Sequence, residues 1–107
     1  MDLWVRHHSM AGLGVVSLDG VVDLATLPTL LDHLSRAVID HPGATVAVDL
    51  DGVEAIDDCG LGLVLGAAGR AREAGGDLVV VCTSEALRRR LGTTGFDRAV
   101  DVWDHLA

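Results

Sequence analysis

The sequence contains no lysine and no tyrosine. Its eight basic residues are all arginines, which excludes a Schiff-base lysine and a phosphate-loop lysine outright. Aromatic residues are scarce too: Trp4, Phe96 and Trp103 are the whole set. The core therefore has to be assembled from Val, Leu and Ala. Cysteine occurs twice, at Cys59 and Cys82, without CxxC spacing, so neither a disulfide scaffold nor a zinc site is indicated. Positive charge is in deficit, with a formal net charge of −8. That balance argues against nucleic acid, which is held by cationic side chains on phosphates, and against an anionic membrane surface. Long apolar runs are missing as well. The longest nearly apolar window, residues 61–69, is too short and too glycine-rich to cross a bilayer. Residues 4–8 turn polar too soon for a signal peptide. The expectation is a cytoplasmic protein with reduced thiols, no membrane insertion and no nucleic-acid partner.

What is present suits one ordered unit. A chain of 107 residues is a single domain, 1–107, able to bury about 60–70% of its unfolded surface. Half of it is hydrophobic and 22% charged, which argues against disorder. Residues 3–8 and 15–18 read as strands, joined through Gly12 and Gly14 into a hairpin. Residues 19–23 read as a loop. Thr26 is a candidate N-cap with Pro28 in the first turn, and Leu27, Leu30, Leu31, Leu34 and Val38 mark one buried helical stripe ended by His41-Pro42-Gly43. Residues 45–50 read as a strand. A helix then runs to about Ala74 and is closed by Gly75-Gly76. Residues 78–82 are consecutively apolar, as in an interior strand covered on both faces. Ser84 caps a short helix through Leu91, and residues 99–102 read as a last strand. The order β-β-α-β-α-β-α-β predicts an α/β fold, a mixed sheet of about five strands flanked by helices, mostly parallel after an antiparallel start.

The stretch Ala55-Ile56-Asp57-Asp58-Cys59-Gly60-Leu61-Gly62 stands out. It places two adjacent carboxylates and a thiol in a strand-to-helix turn, at a helix N-terminus whose free N–H groups favour negative charge. Asp58 is the expected cap. Gly60, Gly62, Gly66 and Gly69 are costly in a helix, at about 1 kcal/mol each against alanine. They predict a close backbone approach, to the sheet or to a partner protein.

Other chemistries fit less well. Asp49, Asp51, Glu54, Asp57 and Asp58 supply oxygen ligands of the kind that hold Mg²⁺ or Ca²⁺, but a solvated acidic loop is the simpler reading and no metal or cofactor is implied. A phospho-receiver would need a lysine near its end and strict β/α alternation. Cys59 at a helix N-terminus could be reactive, and Cys82, at the end of the adjacent strand, could pair with it in a redox bridge. A small buried hydrophobe is the more frequent role for a free cysteine, and Asp58 disfavours the Cys59 thiolate. His7, His8, His33, His41 and His105 form no triad spacing, so no catalytic residue is assigned. Arg88-Arg89-Arg90 reads as a solvated helix face.

Four segments together resemble the STAS domain of bacterial anti-sigma factor antagonists. Leu18-Asp19-Gly20-Val21-Val22-Asp23 is similar to that family's strand ending in Gly-x-x-Asp. Val48-Asp49-Leu50 through Asp57-Asp58-Cys59-Gly60-Leu61-Gly62 is similar to its Asp-Ser-Ser/Thr/Ala-Gly-Leu-Gly turn. Gly75-Gly76 before residues 77–81 is similar to its Gly-Gly lead into the next strand. Ser84 through Leu91, followed by Thr94-Gly95-Phe96-Asp97, is similar to its capped helix and Thr-Gly-Leu.

The resemblance implies a non-enzymatic partner-switching module. In that family an anti-sigma factor of GHKL kinase fold phosphorylates the serine after the turn's aspartate. The unmodified antagonist binds it, and the phosphorylated form lets go. Asp23, Asp57, Asp58, Cys59, Gly60, Leu61 and Gly62 are the implied partner-binding residues. Here Asp58 takes the serine's place, so the phosphorylation switch is expected to be missing. Asp58 carries a fixed charge of about −1, against about −1.5 to −2 for phosphoserine, which makes it a candidate phosphomimetic. Charge alone does not assign the state it fixes. The alternative is a STAS scaffold or transporter-accessory module outside any sigma-factor circuit. The family usually ends on a further helix, for which residues 103–107 leave little room. The apolar surface beneath it is therefore expected to be partly exposed and used in a homodimer.

Overall fold

The computed structural model describes residues 2–106. A five-stranded sheet runs in the order β1 (Leu3–Met10), β2 (Leu13–Val22), β3 (Thr45–Ile56), β4 (Asp77–Val81) and β5 (Val102–Trp103). The β1–β2 hairpin is antiparallel and every later pair is parallel. The crossovers are α1 (Leu27–Asp40), α2 (Asp58–Glu73), and α3 (Glu85–Thr93) with the short α4 (Phe96–Ala99). This is a single α/β domain with a mixed sheet, as the alternation of periods requires.

Strand alternation sorts the apolar residues between two faces. Val16, Leu18, Val46, Val48, Leu50, Leu78 and Val80 share one core with the inner faces of all four helices, including Leu30, Leu34, Leu61, Val64, Leu87, Leu91 and Phe96. Val15, Ala47, Val79 and Val81 point the other way and are 0–2% exposed, with Leu13, Trp103 and Leu106 packed against them. The C-terminal tail thus packs against this second face through Trp103 and Leu106. Arg88 pins it, donating to the Cys82 carbonyl at 2.9 Å and to the Asp104 carboxylate.

Three further expectations are corrected. Residues 19–23 are not a loop: β2 continues to Val22, and Gly20 (φ 114°) sits at a register shift where a Cβ would meet the Asp2 carbonyl. A bulge, not a turn, is what the glycine serves there. Likewise β3 runs on to Ile56, so the strand leads directly into the turn. The last strand is not 99–102. Residues 96–99 form α4 after left-handed Gly95, and pairing resumes only at Val102–Trp103.

Within α1, Leu30, Leu34 and Val38 are buried and Leu27 is half-buried, whereas Leu31 is 45% exposed. Leu31 stands at the edge of the buried stripe of Leu30, Leu34, Ala37 and Val38. Thr26 precedes α1 but does not cap it in the usual way. Its hydroxyl donates to the Val21 carbonyl and accepts from the Asp23 N–H, while Asp23 Oδ1 accepts from the Thr26 N–H. Ser84 does cap α3, accepting from the Leu87 N–H at 3.3 Å.

Candidate functional site

The turn between β3 and α2 is tied down at both ends. The Asp57 N–H donates to the Val22 carbonyl at 3.1 Å, which links the turn to the end of β2 and, through the next residue, to Asp23. Asp57, not Asp58, is the cap: its backbone is extended (φ −88°, ψ 174°) and its Oδ1 accepts from the Gly60 N–H at 2.9 Å. Helix capping selects the residue whose backbone is still outside the helix, and Asp57 is that residue. Asp58 is the first helical residue, its side chain 83% exposed.

Asp58 is paired. Its Oδ1 accepts from Arg90 Nη2 at 2.7 Å, while Arg90 Nε donates to the Ile56 carbonyl at 2.8 Å. One edge of the guanidinium thus spans the last residue of β3 and the first of α2. Arg90 is the residue that sequence reasoning missed. It is separated from Asp58 by α2, β4 and more than half of α3, and sits inside an arginine run that reads as a solvated face. The available signal was its place three residues after buried Leu87 and one before buried Leu91, on the flank of the apolar stripe. Arg88 is not solvated either, being engaged with the tail; Arg89 is exposed.

The rest of the turn divides by depth. Gly60 and Leu61 are buried, and a Cβ on Gly60 would come within 2.5 Å of Val22 Cγ1. Cys59 and Gly62 are exposed. Gly62, Leu61 and Leu65 line a shallow groove of about 370 Å³ together with Asp58 and with Thr94, Gly95 and Phe96 from the α3–α4 junction. Gly62 and Gly69 face open space, so the sheet is not what their missing side chains make room for. Only Gly60 has that role.

The acidic cluster disperses. Asp49 accepts from the Asp51 N–H, Asp51 accepts from the Thr83 N–H and hydroxyl, Asp57 caps α2, and Asp58 holds Arg90. Among the described residues no group of three or more His, Cys, Asp or Glu side chains is placed to hold a metal ion. No described helix is long and apolar enough to cross a membrane.

Both thiols are free, Cys59 exposed at the start of α2 and Cys82 fully buried after β4. Burial pushes the Cys82 thiol above its ordinary pKa. At pH 8 the native protein should therefore titrate one thiol rapidly with a chromogenic disulfide, and a second only in denaturant. Two rapid thiols in the native state would contradict the burial of Cys82.

Against known proteins, the family model of the STAS domain matches residues 5–107. An anti-sigma factor antagonist from Mycobacterium paratuberculosis is 28% identical with a TM-score of 0.87, over 98% of this chain and 88% of that one. The anti-sigma factor antagonist SpoIIAA of Bacillus, in its unphosphorylated form, is 18% identical with a TM-score of 0.74, over 92% and 87%. A sulfate transporter family protein from Wolinella succinogenes is 19% identical with a TM-score of 0.70, over 91% and 80%.

Proposed function

The chain belongs to the STAS domain family, and from that premise we propose that it is a binding module of the anti-sigma-factor-antagonist type. It regulates transcription in the bacterial cytoplasm by contact with an anti-sigma factor of GHKL kinase fold, and it carries out no catalysis of its own. The observation that carries this reading is the turn at residues 57–62. It has a buried, capped interior and an exposed rim of Asp58, Cys59 and Gly62 beside an apolar groove, on a fold that matches an antagonist closely. Asp23 belongs to the same surface because the turn hangs from its neighbour Val22. Asp58 offers no hydroxyl, so the contact is not released by serine phosphorylation.

The test uses each purified GHKL-fold anti-sigma kinase of the source cell with Mg-ATP. The wild type is expected to bind one of them and to take up no phosphate, while Asp58→Ser takes up phosphate and then lets go. Absence of binding by the wild type, Asp58→Ser and Asp58→Ala alike would refute this partner class. A second reading, a STAS scaffold or transporter-accessory module, is favoured by the missing acceptor and by the shared fold of the transporter family protein. Its mark would be capture by a transporter rather than by a kinase.

A further inference from the structure

The fixed charge at Asp58 is not alone. It lies 2.7 Å from a guanidinium whose Nε is already committed, donating to the Ile56 carbonyl at 2.8 Å. That second bond matters, because it holds the guanidinium in place without help from Asp58. The planar fork of arginine lets one edge satisfy a carbonyl and a carboxylate together, which lysine cannot reproduce. Arg90 is also less open than its partner, with a side chain 38% exposed against 83%. The pair is therefore a built feature of the turn and not two long side chains that happen to meet. Its electrostatic result follows from charge counting. A carboxylate of −1 beside a guanidinium of +1 leaves a dipole, whose field falls off faster than that of a single charge. A phosphoserine at the same place, at about −1.5 to −2, would leave a net negative charge even with Arg90 beside it.

We propose that Arg90 is a positioning residue that cancels the charge of Asp58, so that position 58 meets a partner as a neutral pair and the protein stays in its binding-competent state. The charge cancellation stands on the geometry; its consequence for binding rests on the antagonist reading above. Asp58 is then a carboxylate locked into the fold and not a mimic of the phosphorylated, released form.

Two measurements on the full chain separate these parts. The first needs no partner. Cys59 adjoins Asp58 in sequence and is exposed, whereas Cys82 is buried. The rates at which the Cys59 thiolate reacts with cationic and anionic methanethiosulfonates therefore report the local potential. The wild type is expected to give the same cation-to-anion rate ratio as the doubly neutral Asp58→Asn/Arg90→Gln. Arg90→Gln alone should raise the ratio about fivefold, and Asp58→Asn alone should lower it. A wild-type ratio equal to that of Arg90→Gln would overturn the proposal.

The second measurement is affinity for each purified GHKL-fold anti-sigma kinase of the source cell. Arg90→Gln is expected to bind about tenfold more weakly or worse, because it leaves an uncompensated charge at the contact. Adding Asp58→Asn should restore wild-type affinity. A double variant as weak as Arg90→Gln would mean that Arg90 acts through contact or structure and not through Asp58, and would also overturn the proposal. If the rate ratios follow expectation while no kinase binds any variant, the charge cancellation stands and the antagonist reading falls.

Discussion

Leu34→Ala is expected to lower the unfolding free energy by about 2–5 kcal/mol, and Leu31→Ala by less than about 0.5 kcal/mol. Leu34 is 0% exposed and belongs to the core that α1 shares with α2 and the sheet, whereas Leu31 looks outward. Truncation at position 34 removes three buried carbons, worth about 0.8 kcal/mol each in transfer, and adds a cavity term wherever the neighbours do not collapse. The core it belongs to includes β-branched side chains on strands, Val16, Val46 and Val48 among them, which have little rotamer freedom to refill space. Urea unfolding followed by circular dichroism reads the difference. With a slope of about 1–3 kcal/mol per molar, the midpoint of Leu34→Ala should fall by about 1 M or more while that of Leu31→Ala barely moves. Equal losses at both positions would mean that α1 is rotated from the orientation described.

The same pair of leucines shows how far periodicity reads a fold. The stripe in α1 identified the helix and its buried side, because the period is a local property of the chain. It did not separate Leu30 and Leu34 from Leu31, because the edge of a stripe is set by what the helix lies upon. The hairpin, the apolar run of β4, the Ser84 cap and the closing Gly75-Gly76 were legible for the same local reason. Residues 19–23 read as a loop because a glycine in a bulge and a glycine in a loop look alike until the neighbouring strand is known; the Asp2 carbonyl decides it. Two adjacent aspartates could each cap α2, and only the extended backbone at Asp57 assigns the cap. The most consequential feature of the site, the bond from Arg90 to Asp58, joins the end of α3 to the start of α2. No window of sequence contains both residues, so nothing local announces it. The family resemblance located the turn but said nothing of Arg90, since no quoted motif assigns that position a role.

Glycine substitutions along α2 should divide by what each glycine faces. Gly60→Val is expected to destabilise by about 2–4 kcal/mol. Its Cβ would stand 2.5 Å from Val22 Cγ1 and 3.0 Å from Ile56 Cγ1, and the Gly60 N–H that Asp57 caps would be pushed off line. The gain in helix propensity, at most about 1 kcal/mol, is too small to offset that. Gly62→Ala is expected to do the opposite to stability. Nothing lies within 4 Å of its Cβ, so the helix should gain about 1 kcal/mol. Yet Gly62 lines the groove beside Asp58, and a methyl group there takes space from whatever enters it. Affinity for the anti-sigma kinase should therefore fall, by about tenfold if the groove receives a side chain that must retreat. Gly69→Ala is the control: it also faces open space, it lies outside the groove, and it should raise stability with affinity unchanged. Thermal unfolding and titration calorimetry on the same three variants give both axes. A stabilised Gly62→Ala with undiminished binding would remove the groove from the contact surface. Higher stability with weaker binding would mean that the glycine at position 62 is kept for a partner, at the expense of the helix that carries it.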